Sequence, residues 1–334
     1  MTKKFLTLIA FLLAIPAVQA GITPDKIDEA AAAVQPQVVE WRRWFHQNPE
    51  LSNREFNTSA KIAQILREMG LEPQTGIAHT GVIAVIEGSL PGPLVAIRTD
   101  IDGLPVVEQT GLPFASTARS EYNGQEVGVM HACGHDAHMS MVLGAAKILN
   151  DMRDELPGSV MLIFQPAEEG PPVGEDGGAS MMLDEGIFEK RMPAAVFGMH
   201  VGIGVPGGQF AVKPGPMMAA SDGFKIVVKG KQTHGARPWD GVDPVVISSQ
   251  IVLGLQTIVS RQVDVTLAPS IVSVGRVSGG IRYNVIPDKV EMEGTIRTFD
   301  PDMRAYIHEA IERTARSIAE GAGAEIEFAI NQGP

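Results

Sequence analysis

Apolar residues recur at three- and four-residue intervals in two stretches near the N-terminus, and that spacing predicts helices. One covers 24–46 and ends in Trp41-Arg42-Arg43-Trp44-Phe45-His46 before the Asn48-Pro49 stop. The other covers 57–69, with Ile62, Ile65, Leu66 and Met69 on one face and Gly70 as its terminator. Short apolar runs follow at Val82–Ile86, Leu94–Ile97, Val160–Phe164 and Ala194–Phe197. They lack strict alternation, and helical segments separate several of them, as in strands buried on both faces of a parallel sheet. Met139, Val142, Leu143, Ala146 and Leu149 predict one of those helices, with Asp136 placed to cap it.

From about residue 214 the pattern changes. Phe224–Lys229 alternates as a half-buried strand, and Asp243-Pro244 opens a helix to about 260. Strands at Ser270–Val277 and Lys289–Phe299 flank the turn Ser278-Gly279-Gly280. Asp300-Pro301 opens a helix to Glu320, and Ala324–Ile330 reads as a last strand. The order β-α-β-β-α-β is that of a ferredoxin-like sandwich. The expected organisation is α/β: a mostly parallel-sheet domain over 21–213 and a smaller ferredoxin-like domain over 214–331.

Composition removes several function classes. The chain is 44% hydrophobic and 20% charged with mean hydropathy +0.08, as in an ordinary globular protein. A net charge of −12, with no Lys/Arg run outside the first four residues, argues against a nucleic-acid surface. Lys3-Lys4, the apolar run Phe5–Ala17 and Val18-Gln19-Ala20 read as a signal peptide over 1–20. The run is shorter than the ~20 residues of a membrane span. The mature chain is thus expected to begin at Gly21, in the periplasm or outside the cell and free of the membrane. Cys133 is the only cysteine, so no internal disulfide is available to it. An exported free thiol is at risk of oxidation unless buried or ligated, which favours Cys133 as a metal ligand.

The candidate chemistry centres on His131-Ala132-Cys133-Gly134-His135-Asp136-Ala137-His138. On a helix Cys133 and His135 would point roughly opposite ways; they converge only in a loop, for which Gly134 supplies the freedom. Asp100 and Asp102 follow one predicted strand, Glu168-Glu169 follow another after Pro166, and His200 follows a third. Ligands of open α/β sheets bind outside the carboxyl ends of the strands, so these groups are expected at one edge. Thiolate, imidazole and carboxylate together suit a borderline-soft divalent cation. Two adjacent carboxylates can divide the labour, one on metal and one moving a proton, but the pattern does not say which does which. On an extended segment they point opposite ways, so the turn after Pro166 must reorient them. Asp100 is read as orienting a ligand. Gly170–Gly178 is read as a loop beside this edge. His131 and His138 stay outside the ligand set, and His46 and the tryptophans are read as structural.

These residues carry a resemblance. R-T-D-I-D-G-L-P at 98–105, H-A-C-G-H-D-A-H at 131–138, Q-P-A-E-E at 165–169 and G-M-H at 198–200 resemble a family of metal-dependent amidohydrolases. H-G-A-R-P at 234–238 and N-V-I-P-D at 284–288 also match. That family includes hippurate hydrolase, bacterial N-acyl-amino-acid deacylases and plant auxin-conjugate hydrolases. The resemblance implies two divalent ions, Zn or Mn, with Cys133, His135, Glu169 and His200 as ligands and Glu168 as general base. It implies that His234 contacts the substrate or its oxyanion, reached by domain closure or from a partner subunit. Asn284 resembles the residue that contacts the substrate carboxylate, and the second domain resembles a lid that also joins a homodimer. The implied reaction is hydrolysis of an N-acyl amino acid by a metal-held water. A metallo-carboxypeptidase or aminopeptidase acting on short peptides is the alternative, as is a non-catalytic binding homologue. The family's last ligand is a histidine in a segment returning to the first domain. This sequence stops at Gln332-Gly333-Pro334, so a fragment holding about one metal and showing little activity is expected.

Overall fold

The computed structural model describes residues 21–333, so the expected signal peptide at 1–20 lies outside the described residues. The chain forms two compact units divided between Gly204 and Val205.

In the first unit, α1 (Pro24–Gln47) starts where the Thr23 side chain accepts from Lys26 N–H and Pro24 takes a first-turn position. Next come α2 (Phe56–Glu68), β1 (Gln74–Ile77), β2 (Gly81–Glu87) and β3 (Leu90–Asp100). The hairpin β4 (Arg119–Tyr122) and β5 (Gln125–Gly128) precedes α3 (His135–Asp151) and β6 (Pro157–Gln165). A short α4 (Gly178–Asp184) and β7 (Val196–Gly198) complete the unit. Gly70, at φ +80°, ends α2 as its pattern predicts.

The sheet order is β1-β2-β6-β3-β7, and it is mixed rather than mostly parallel. β3 runs parallel to β6 and β7, whereas β2 runs antiparallel to β1 and β6. The cause is the connection after β2. Only Gly88 and Ser89 separate it from β3, and a parallel neighbour needs a crossover of about a dozen residues or more. β3 therefore reverses, and β6 enters between the two after the long connection through α3. The continuous apolar runs arise because β2 and β6 bury both faces. Val82, Ala84, Ile86, Leu162 and Phe164 pack with Phe45, Leu66 and Leu143 of the helices. Ile83, Met161 and Ile163 pack on the other face with Leu94, Ala96 and Met182 of α4.

The second unit contains β8 (Ala220–Lys229), β9 (Thr233–His234), α5 (Pro244–Thr257), β10 (Ser270–Gly279) and β11 (Val285–Ile286). It ends with β12 (Lys289–Thr298), α6 (Pro301–Gly321) and β13 (Glu325–Asn331). Its main sheet has the order β10-β12-β8-β13, antiparallel throughout. Ile226, Val228, Met292 and Ile296 of that sheet share a core with Ile251 and Leu255 of α5 and Ile307 and Ile311 of α6. Residues 205–219 carry neither helix nor strand and group with this unit, so the division lies ahead of the 213/214 boundary read from the pattern. Among the described residues no helix is long and apolar enough to cross a membrane.

Candidate metal centre

Because β3, β6 and β7 are parallel, the segments leaving their carboxyl ends meet at one edge of the first sheet. The stretch before α3 joins them through a left-handed turn. Gly134 sits at φ +99°, and a Cβ there would lie 2.3 Å from Val201 Cγ2. Gly134, not Asp136, occupies the N-cap position of α3, and no side chain caps that end. Asp136 is drawn away from capping by stronger, charged partners: it accepts from Arg42 Nε at 2.7 Å and pairs with His46 Nδ1 at 2.9 Å. The turn lets Cys133 and His135 face the same way, and their donor atoms lie within 4.8 Å of each other and of a Glu169 oxygen.

The surroundings of His135 fix what it can offer. Its Nδ1–H donates to the Asp102 carbonyl at 2.8 Å, which leaves the Nε2 lone pair pointing into the cluster. That buried nitrogen has no hydrogen-bond partner among the described residues. It lies 3.6 Å from Glu168 Oε2, 3.7 Å from Asp100 Oδ1 and 3.8 Å from Glu169 Oε1. Burial opposes charging of His135, but the neighbouring Asp102 and Cys133 and the field of Asp100 prevail and push its pKa up to about 11. The anions that favour a proton on Nε2 would equally favour a cation, which would displace that proton and take up the Nε2 lone pair. The donor set of one sulfur, one nitrogen and one carboxylate suits a zinc-type ion.

Two buried carboxylates shape the Glu168-Glu169 turn through its backbone. Glu55 accepts from Ala167 N–H at 2.9 Å, and Asp102 accepts from Glu169 N–H at 3.0 Å and from Ser52 Oγ at 2.8 Å. Between them Ala167 adopts φ +47°, the reorientation the sequence requires after Pro166. Glu168 ends half-buried, and burial raises its pKa against the opposing pull of His135 and Arg98. Arg98 links the group: it donates to Asp100 and Gln165, each at 2.8 Å, and its Nη2 lies 3.8 Å from Glu168.

The structure thus gathers Cys133, His135, Glu168 and Glu169, and His200 joins through Cys133, with Nε2 3.4 Å from Sγ. Asp100 departs from its expected part. It hydrogen-bonds His138 Nδ1 at 2.7 Å rather than a ligand of the cluster, and it is Asp102 that holds His135. Burial would raise the Asp100 pKa, but the His138 hydrogen bond and the neighbouring cations take it down to about 2. His138 Nε2 accepts from Val201 N–H at 2.9 Å, so both its nitrogens are used. Asp100, His135 and His138 also converge, but His138 has no lone pair to give. His131 is buried, with neither ring nitrogen hydrogen-bonded among the described residues, and burial pushes its pKa down to about 4. In the second unit His234 pairs with Val285 across the β9–β11 ladder, and Gly235 N–H donates to the Asn284 carbonyl at 2.9 Å. The two candidate substrate-contact residues are therefore neighbours there, His234 exposed and Asn284 with a buried Oδ1 that has no partner among the described residues. The pattern did not single out Asp102, Arg98, His138 or Glu55 for these parts. Asp102, Arg98 and His138 stand inside motifs already quoted, whereas Glu55 has no local signal at all.

Residues 96–333 match the profile of a family described as peptidase family M20/M25/M40. The chain is 44% identical over 303 residues to N-acetylcysteine deacetylase of Bacillus subtilis, an alignment covering 90% of this chain and 75% of that one. It is 40% identical to thermostable carboxypeptidase 1 of Saccharolobus solfataricus, covering 91% and 75% respectively. A Bacillus subtilis crystal structure described as a dinuclear metal binding peptidase of the M20 family superimposes with a TM-score of 0.73 at 41% identity. That match covers 90% of this chain and 75% of the other.

Proposed function

Because the chain belongs to peptidase family M20/M25/M40, we propose that it is a metal-dependent amidohydrolase that cleaves N-acyl amino acids. The observation that carries this reading is the buried, unpartnered His135 Nε2, faced by Cys133 and Glu169 as co-ligands and by Glu168 as a free carboxylate. Cys133, His135 and Glu169 would hold a divalent cation, Zn or Mn, and His200 beside Cys133 adds a donor for a second. A bound cation polarises the scissile carbonyl and lowers the pKa of the attacking water towards ~7.

The rest is done by the chain's own groups. Glu168 Oε2 takes the proton of the attacking water and returns it to the leaving nitrogen, so the carboxylate is regenerated in each turnover. Its partial burial raises its basicity, and Arg98 keeps it aimed at the cluster. Asp102 locks the His135 tautomer and the Glu169 backbone together. In the second unit, His234 and Asn284 are the residues we assign to the oxyanion or acyl oxygen and to the substrate carboxylate. We read that unit as a ferredoxin-like lid that also forms a homodimer, and the first twenty residues as an export signal to the periplasm or beyond.

Replacing Glu168 by Gln is expected to leave metal content unchanged while turnover of an N-acyl amino acid falls ~10²–10⁴-fold. Glu169→Gln is expected to lose metal as well. Elemental analysis beside a ninhydrin assay separates the two, and normal turnover in Glu168→Gln would overturn the assignment. The likeness to a carboxypeptidase supports a second reading, hydrolysis of short peptides. Comparing an N-acetylated amino acid with the free dipeptide of the same residue decides between them.

A further inference from the structure

Four consecutive side chains before α2, Ser52-Asn53-Arg54-Glu55, bear on the segment that follows β6. Ser52 supports Asp102, which holds Glu169 N–H, and Glu55 holds Ala167 N–H. Asn53 and Arg54 act further along, on the loop 170–177 that leaves the cluster directly after Glu169. The Arg54 guanidinium donates to both oxygens of Glu175, at 2.6 and 3.1 Å. Asn53 Nδ2 donates to Glu175 Oε2 at 3.1 Å and to the Asp176 carbonyl at 3.0 Å. His79 Nε2 donates to the same carbonyl at 3.2 Å.

This loop is closed at its base and loose along its length. A Cβ on Gly178 would lie 3.0 Å from Ala167 O, and one on Gly177 would lie 3.3 Å from Ala167 Cβ. The ends of 167–178 therefore touch, the form of an Ω-loop. Gly170 and Gly178, at φ +100° and +69°, turn the chain at those ends in left-handed backbone that only glycine takes without strain. A Cβ on Gly170 or Gly174 would meet nothing within 4 Å among the described residues, and Val173 lies in solvent. Fastening is thus left to Glu175, Asp176 and Gly177, where a Cβ would lie 2.6 Å from Asn53 Oδ1. On the receiving side Asn53, Ala78 and His79 hold φ +61°, +45° and +76°, backbone of the kind that clusters at clamps and switches.

Gly170 and Pro172 of the loop form, with Arg54 and Glu169, one side of a cavity of about 200 Å³ beside the cluster. An exposed ion pair ordinarily contributes little, but a bidentate pair inside a hydrogen-bond network is the exception. The Arg54 guanidinium holds the Glu175 carboxyl down to about 2. The contact therefore stays charged through the neutral range and yields to salt rather than to pH. We propose that loop 170–177 is a latched cover over the Glu169 side of the cluster, with Glu175 caught by Arg54 and Asn53. Releasing the catch swings the loop on Gly170 and Gly178 and opens the cluster to solvent. The catch goes beyond the amidohydrolase reading and does not depend on it.

Hydrogen exchange of the full chain tests the catch. Arg54→Met and Glu175→Ala are each expected to speed exchange in 170–177 about tenfold while α2 and β6 keep their rates. The double variant should be no faster than the faster single, because both changes remove one contact. Raising salt from about 0.05 to about 0.5 M should bring the wild-type loop towards the variants and leave the variants unmoved. Cys133, the only cysteine, reports access to the cluster. Without zinc, iodoacetamide should alkylate it about threefold faster in either variant than in the wild-type chain. Unchanged loop exchange, or a rise shared by α2 and β6, would overturn the catch, and an unchanged alkylation rate would overturn the cover. Zinc that fails to protect Cys133 in any of these chains would sink the metal reading and leave the latched loop standing.

Discussion

At the scale of single residues, the site is an arrangement of buried carboxylates whose fates differ with their partners. Asp100 stays ionised because His138 hydrogen-bonds it, and Asp102 because the neighbouring His135 imidazole and the donors Glu169 N–H and Ser52 Oγ offset the cost of burial. Glu55 has only neutral donors, Thr80 Oγ1 at 2.7 Å and Ala167 N–H, and burial pushes its pKa up to about 7. In the unfolded chain it titrates near 4.5. The folded state therefore binds more protons between those values, and stability falls as pH rises through that window. The contribution is fully present below 4.5 and lost above about 7, with a size on the order of 3 kcal/mol. Glu55→Gln keeps an acceptor for Ala167 and removes the titration. Denaturant melts at pH 5 and pH 8 are expected to show a larger loss for the wild-type chain than for the variant. A slope unchanged by the substitution would place the proton elsewhere.

At the scale of elements, function depends on where each strand or helix ends. Three parallel strands deliver Asp100, the Glu168 turn and His200, and the left-handed turn at Gly134 adds Cys133 and His135. The position tolerates nothing larger: φ +99° disfavours an L side chain, and Val201 occupies the space a Cβ would need. Gly134→Ala is expected to cost at least about 1–2 kcal/mol from backbone strain alone. Because the strain sits between Cys133 and His135, which we assign as ligands, metal affinity should fall with stability. Equilibrium dialysis and denaturant titration of the same variant check both. A stable variant that has lost metal, or the reverse, would mean that the turn and the ligands are uncoupled.

At the scale of the whole molecule, two units carry two separate cores, and only the first holds the cluster of Cys133, His135 and Glu169. A cation that binds the folded first unit stabilises it by mass action, about 2.7 kcal/mol at a free concentration of 100 Kd. Chelation is therefore expected to lower the unfolding temperature of that unit by roughly 5–10 °C, taking 2–4 °C per kcal/mol. Hydrogen exchange should lose protection in α3 and β6 while β8 and β12 stay as they were. Equal loss in both units would mean that the metal is not confined to the cluster of the first.

The sequence by itself determined the elements and which polar stretches gather at one edge of the first sheet. Period and terminators are local: Gly70 and the proline starts at Pro244 and Pro301 act within a turn of where they stand. The candidate cluster was legible because the Cys133–His135 spacing is incompatible with a helix and because the acidic groups and His200 follow apolar runs at strand ends, whereas which of them would ligate came only from the family resemblance. Strand direction was not legible, since Val82–Ile86 has the same composition whether its neighbour runs with it or against it; the two-residue link to β3 decided that. Nor were the supports. Asp100 and Asp102 are alike in sequence, and only the packing of α3 against β3 gives one to His138 and the other to His135. Glu55 stands 112 residues from the backbone it holds. Such pairings are set by which surfaces the cores bury against each other, a long-range outcome that no local pattern encodes.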